Sequence, residues 1–455
     1  MRTHNGKIIA DPVILFMALF SIIIHLIFIN NLEYHRDELL YFSLGMHPAA
    51  GYSTVPPLIG WIACFMQNVF GYSVFAVRLF PALLSGVLIF LTASVAKELG
   101  GSRYASFLAA LGLLISIFFM RTYFLFMPVF VEVFLWTLCI YLIIKYISTL
   151  NEKFLILFGV TAGFALLNKY LVCLLFLGLL VIIPFTEYRE IFRKKKFWTG
   201  LAVGFVIFLP NLIWQATKGF PVFHHMSELY DTQLVHMDIP LFLTEQLLMP
   251  FLGTVFTIAG IIFLLKSKKA SKFRFLGYLS LFVIAGLMIL KGKSYYTLGI
   301  FPLLIAAGAV SYERWLERTW LRVIFPMILV VLTLPVVPMG LPVFDTEGLI
   351  KYFKGLDEKY GIDTGRRIED GSIHSLPQDY ADMLGWEELT EVANRAYQMI
   401  NDELGEDIRA IFKKITEIGS ITNPDAREYG TLVYLCEEPV MSFNKFWAER
   451  VSMLR

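Results

Sequence analysis

Two carboxylates and a cation stand side by side in the run Tyr34-His35-Arg36-Asp37-Glu38, with Tyr41 one helical turn further on, directly after the first apolar stretch of the chain. A carboxylate held at a membrane surface is suited to accept the proton of an attacking hydroxyl. The same run also suits a solvated helix end in which Asp37 pairs with Arg36, a contact of small worth when exposed. A second group is basic: Arg78, Arg121, Lys169, Lys291 and Lys293 each fall at or near an end of an apolar segment. Singly, each is explained by a long side chain reaching for lipid headgroups. Converging from separate segments, they would hold a phosphate through charge-assisted contacts. Lys291 to Tyr296 reads KGKSYY, and an aromatic belt accounts for Tyr295 and Tyr296 but not for the adjacent lysines. Glu132 lies within an apolar segment, where a carboxylate is costly enough to mark function, or to serve as a partner for Arg121. His224 and His225, with Glu228, Asp231, His236 and Asp238 nearby, form the cluster with metal-ligand chemistry. Adjacent histidines point apart on a helix or strand, so one of the two would ligate but hardly both.

What must position these groups is a membrane bundle. The chain has 455 residues, 57% hydrophobic and 17% charged, whereas soluble domains are about a quarter charged. A net charge of +2, with the basic residues dispersed among loops, excludes a nucleic-acid partner. Cys64, Cys139 and Cys173 lie in apolar stretches and Cys436 in the polar tail, which makes neither a disulfide framework nor a CxxC site. A span needs roughly 20 apolar residues, and about eleven are expected: residues 12–30, 74–96, 105–120, 128–147, 154–168, 170–185, 198–214, 246–265, 275–290, 297–312 and 322–339. The first reads as a retained signal anchor. Residues 56–70 are too short to span and read as an interfacial helix.

The basic loops Arg189–Lys196, Lys266–Arg274 and Arg314–Arg322 fall on one side of this arrangement, together with Arg2 and Lys7. Because lysine and arginine are retained in the cytoplasm, the N-terminus is expected inside a plasma (inner) membrane. The opposite face then receives the long loop 31–73, the loop 215–245, the turn 291–296 and everything after Gly340. The five edge cations lie on that outer face, against the usual bias. Composition changes abruptly near residue 340. Residues 1–339 are expected to form a transmembrane domain, and residues 340–455 a small extracytoplasmic domain of mixed α/β type.

The chain resembles the polytopic glycosyltransferases of the C superfamily, and within them the family 39 group of dolichyl-phosphate-mannose-protein mannosyltransferase-like and aminoarabinose transferase-like enzymes. The resemblance covers roughly residues 30–315. It is carried by RDELLY at Arg36–Tyr41, GYSTVPPLIGW at Gly51–Trp61, FAVRLFPAL at Phe75–Leu83, LLNKY at Leu166–Tyr170, FLPNLIWQATKGFP at Phe208–Pro221 and GKSYYTLGIFPLLIAAGA at Gly292–Ala309. The resemblance implies a mainly α, multi-span fold and an acidic residue of the first outward loop at the reaction centre, here Asp37 with Glu38 beside it. It implies a lipid-phosphate sugar donor, whose phosphate maps most naturally to Lys169, Lys293, Tyr295 and Tyr296. The chain departs from the family pattern at Val55, before the Pro56-Pro57 pair, and at MPVFVEVF, where Glu132 is the nearest acid.

Together these readings lead to an inverting glycosyltransferase that moves a sugar from a polyprenyl-phosphate donor to a lipid, protein or glycan acceptor outside the membrane. Such a reaction has no obligatory cofactor, a divalent metal being optional, because a leaving phosphate needs its charge neutralised rather than a proton. The competing reading is a transporter or flippase for a lipid-linked or anionic substrate. That class usually carries ionisable groups near the bilayer midplane and inverted repeats, which this sequence does not show.

Overall fold

A computed structural model describes residues 11–361, 366, 373–392, 394 and 395. Contacts divide the chain into two compact units, Met1–Asp382 and Met383–Arg455. Helices account for nearly all of the described first unit: α1 Pro12–Ile27, α2 Arg36–Ser43, α3 Leu58–Phe70, α4 Val74–Glu98, α5 Arg103–Leu114, α6 Ile117–Phe124, α7 Pro128–Thr149, α8 Lys153–Asn168 and α9 Val172–Ile182. They continue with α10 Lys195–Thr217, α11 Pro221–Thr232, α12 Ile239–Leu248, α13 Thr254–Lys266, α14 Arg274–Ile289, α15 Phe301–Trp315, α16 Thr319–Thr333, α17 Thr346–Tyr360 and α18 Gln378–Ala381. Among the described residues there is no strand beyond a single bridge residue at Ile373.

Six helical segments are long and apolar enough to cross a membrane, and nine if each sharply bent pair counts as one span. The bent pairs are α5 with α6 (67°), α9 and its 3-10 extension with Glu187–Arg193 (115°), and α12 with Phe251–Lys266 (92°). The remaining two expected spans coincide with the shorter apolar helices α1 and α8. Two of the three bends have a local cause in the chain. Ser116 breaks α5 from α6 in extended conformation, and Pro250 precedes a turn in which Phe251 takes a positive φ of 51°. Met127 stands extended before Pro128, as a residue preceding proline prefers, and so fixes where α7 starts.

Close backbone approach holds the bundle together where lipid gives no hydrophobic drive between helices. The pairs Gly159/Gly163 on α8 and Gly200/Gly204 on α10 face one another so tightly that a Cβ on Gly159 would lie 2.0 Å from the Gly200 carbonyl carbon. Gly260 of α13 and Gly308 of α15 meet their partner helices in the same way.

By contacts the first unit extends to Asp382. Within it, α17 buries Leu349 and Phe353, and the Tyr380 side chain is wholly buried with its hydroxyl donating to the Pro338 carbonyl. The part of the expected C-terminal domain beyond residue 395 lies outside the described residues, and so does His236 as a side chain.

Candidate active site

Glu38 ties down the start of the loop that follows α1. Its carboxylate closes the N-terminus of α2 by accepting the His35 backbone N–H at 2.9 Å, a capping arrangement in which the third helical residue reaches back to the N-cap. The same carboxylate accepts the Phe126 N–H at 3.0 Å and the Arg78 guanidinium at 2.8 to 3.2 Å. Arg78 donates its remaining N–H groups to the carbonyls of Ile29, Leu32 and Glu33, just past the end of α1, and packs over the Phe124 ring at 4.6 Å. Neither side chain of this pair is measurably exposed beyond 1%. Every lone pair and donor is taken, so the pair clamps α1, α2, α4 and the α6–α7 turn together. Neither Glu38, expected beside Asp37 at the reaction centre, nor Arg78, expected at the donor phosphate, lines the cavity described next.

Asp37, one residue away, points the other way. It lines a cavity of about 990 Å³ that opens between α2, α6, the C-terminal end of α8, α10, α11 and the turn Lys293–Tyr296. Its half-buried carboxylate lies 3.7 Å from Arg36 Nε. Tyr41 shares that wall, and burial, with the nearby Asp37 charge, pushes its phenol well above the usual range. Apolar side chains including Phe118, Leu171, Phe208 and Leu212 cover another part of the cavity.

Basic and tyrosyl groups line the same cavity. Lys169, extended at the C-cap of α8, pairs with Glu132 Oε2 at 3.1 Å and lies over the Tyr296 ring at 4.2 Å and the Tyr295 ring at 5.3 Å. The two tyrosine rings meet edge to face at 4.8 Å. Glu132 is therefore the partner of Lys169 rather than of Arg121. Its Oε1 has no hydrogen-bond partner among the described residues. Lys293 also lines the cavity, whereas Lys291 turns away and donates to the Val235 carbonyl at 3.3 Å. Of the five edge cations, Arg121, Lys169 and Lys293 converge on the cavity; Arg78 and Lys291 do not.

Several groups in and behind the lining were not among the expected site residues, although Tyr170, Asn211 and Gln215 lie in the motifs LLNKY and FLPNLIWQATKGFP. Tyr170 donates to Asn211 Oδ1 at 2.5 Å and accepts from Gln215 Nε2 at 3.0 Å, while Asn211 donates to the Ala50 carbonyl at 2.8 Å, which ties α8, α10 and the first loop into one wall. Gln378 and Asp379, distant in sequence, line the cavity beside Arg36. Asp382 Oδ2 lies 3.0 Å from Arg36 Nε and 3.7 Å from His35 Nε2, and Asp379 Oδ1 lies 4.0 Å from His35 Nε2. Burial raises the Asp382 pKa, and the Arg36 charge beside it opposes the shift. His35 Nδ1 accepts the Asp37 N–H at 3.1 Å, so in the neutral ring the proton sits on Nε2, facing the two acids. His225 lines the cavity with its pKa lowered by burial; His224 does not line it. Among the described residues no three His, Cys, Asp or Glu side chains gather as a metal-binding group.

Residues 54–214 match the family model described as dolichyl-phosphate-mannose-protein mannosyltransferase. No curated protein matches the chain's sequence. Among solved structures, ArnT from Cupriavidus metallidurans bound to undecaprenyl phosphate superposes with a TM-score of 0.58 at 15% identity, over 74% of this chain and 67% of that one. ArnT from the same organism in the apo state gives a TM-score of 0.55 at 16% identity, over 71% of this chain and 64% of that one. The chain thus spans about two thirds of the length of those chains, and at such identities the likeness is one of fold. The chain is thus a multi-pass membrane protein that shares its fold with ArnT, and over residues 54–214 it resembles the dolichyl-phosphate-mannose-protein mannosyltransferase family in sequence.

Proposed function

We propose that the protein transfers a sugar from a polyprenyl-phosphate carrier to an acceptor hydroxyl at the outer edge of the membrane, with inversion at the anomeric carbon. The observation that carries this reading is that Asp37, Lys169, Lys293, Tyr295 and Tyr296 all line one cavity. Asp37 accepts the proton of the attacking hydroxyl as the new glycosidic bond forms, and the lipid phosphate leaves from the opposite face of the sugar with the bonding electron pair. Lys169 and Lys293 offset the growing negative charge on that phosphate, with the tyrosine hydroxyls as donors beside them. The apolar side chains lining the cavity suit the first prenyl units, which keeps the phosphate at the interface and the tail in lipid.

Support also comes from the fold, since ArnT in the solved structure is bound to undecaprenyl phosphate. The orientation that fits is the one in which the N-terminus is cytoplasmic and the cavity opens outward, in a plasma membrane. Lys169, Lys293 and Arg121 then stand on the side the positive-inside rule disfavours, where an anionic substrate accounts for them.

The test is transfer of label from synthetic polyprenyl-phosphate sugars to a membrane extract by the reconstituted protein, with Asp37→Asn alongside. The substitution is expected to lower transfer by at least about a hundredfold, the scale of a positioned general base, with the thermal midpoint unchanged. Full activity of the Asn variant would remove Asp37 from the chemistry. No transfer from any lipid-phosphate donor by well-folded protein would favour transport instead.

A further inference from the structure

Arg121 is the odd cation of the cavity. It is 93% buried, its Nη2 donates to the Met339 carbonyl at 3.1 Å, and its Nη1 makes no hydrogen bond among the described residues. A buried guanidinium N–H left without an acceptor costs more than most such vacancies, because the charge increases the desolvation penalty. What covers it is the Tyr380 ring, stacked on the guanidinium at 3.8 Å. Tyr380 belongs to the strap Pro377–Asp382, whose two acids, Asp379 and Asp382, face His35 and Arg36. The strap therefore presents an aromatic ring to one cation and carboxylates to two further donors, next to Asp37.

We propose that His35, Arg36 and Arg121 form a second anion-binding subsite, for a phosphate or carboxylate on the acceptor, and that Asp379 and Asp382 of the strap occupy it until the acceptor displaces them. This rests on the reading that Asp37 activates the acceptor hydroxyl, since the group adjacent to Asp37 is then the one that meets the acceptor. The donor phosphate has its own set at Lys169, Lys293, Tyr295 and Tyr296, carried by α8 and the turn before α15. Arg36 and Arg121 come from α2 and α6. Two anion sites on separate elements suit a reaction that brings together two charged substrates, one held by its leaving group and the other by a group near its nucleophile. The carboxylates of the strap keep the acceptor subsite neutralised when no acceptor is present, which limits loss of the sugar to water.

The experiment uses the full-length protein in detergent, with inorganic phosphate as the probe followed by phosphorus NMR, with and without saturating undecaprenyl phosphate. Phosphate is expected to bind whether or not the lipid is present. The double variant Asp379→Asn, Asp382→Asn is expected to bind it about tenfold more tightly, the order of one charged contact released. Arg121→Ala is expected to weaken it by a similar factor while undecaprenyl phosphate binds as before, and Arg121→Lys to recover part of the loss. Should Arg121→Ala fail to fold, the double Asn variant decides alone. Displacement of phosphate by the lipid in simple competition would show a single site that belongs to the donor, and a double Asn variant no tighter than the wild type would show that the strap acids compete with nothing; either result overturns the proposal. In Asp37→Asn, phosphate binding must persist although transfer is lost. Phosphate binding without transfer from any donor in the wild type would remove the transferase reading and leave the subsite standing.

Discussion

Two ion pairs of the first unit bury their carboxylates almost completely, Arg78–Glu38 and Lys169–Glu132, and they differ in how far the pair is satisfied and sealed. Glu38 and Arg78 are both closed off, and backbone carbonyls and N–H groups use every remaining valence of the pair. Glu132 is just as buried, but one of its oxygens lacks a partner and its lysine is a quarter exposed to the cavity. A satisfied buried pair is a fastening, because any movement of either partner strands a charge. An incompletely satisfied pair next to a cavity has capacity left for a third party. Neighbouring positions in one sequence motif divide in a similar way, Asp37 lining the cavity and Glu38 sealed in the pair with Arg78.

The comparison is most easily broken at the sealed pair. Glu38→Ala leaves Arg78 buried without its partner, and the cost is expected to be about 3–5 kcal/mol. It should appear as a large fall in the thermal midpoint in detergent, or as loss of folded protein. If instead the midpoint held and transfer alone fell, Glu38 would be a chemical group and the contrast would be void. At the open pair, Lys169→Met should weaken binding of a polyprenyl-phosphate donor by about tenfold or more, as expected from a lost charge-assisted contact. Its midpoint should move much less than that of Glu38→Ala; an equal fall would make Lys169 a fastening too. The smallest effect sharpens the point. Glu132→Gln frees Lys169 from its internal partner, so the donor should bind no more weakly than to the wild type, and about two- to threefold more tightly if the carboxylate competes for the lysine. Donor binding that collapses in this variant would show that Glu132 is needed to position Lys169.

Much of this could be read from the residues, and the reasons for the rest are specific. Apolar length alone places the helices, because backbone groups in lipid must bond internally and a helix is the way a single segment does so. It does not reveal that residues 103–124 bend by 67° at Ser116. The position of Asp37 was legible from its place after the first span. The divergence of Glu38 was not, although His35-x-x-Glu38 has the spacing of a capping arrangement. That spacing is seldom read with histidine at the N-cap. Arg78 looked like a phosphate ligand because it sits at a span end; nothing local says that the carbonyls past α1 need a donor. Asp379 and Asp382 were beyond reach, since they meet Arg36 across more than three hundred residues and belong to a stretch whose composition read as a separate soluble domain.

The interlocked glycines of α8 and α10 have a mechanical consequence. With backbones in contact at Gly159–Gly200 and Gly163–Gly204, these two helices cannot slide or rotate past one another without a clash, and they behave as one beam. Lys169 is mounted at the end of that beam, and Asn211 and Gln215 brace it through Tyr170. The Lys169 side of the cavity is thus a fixed jaw. The strap Pro377–Asp382 is held by other means: ion pairs, the Tyr380 ring stacked on Arg121 and the Tyr380 hydroxyl on the Pro338 carbonyl.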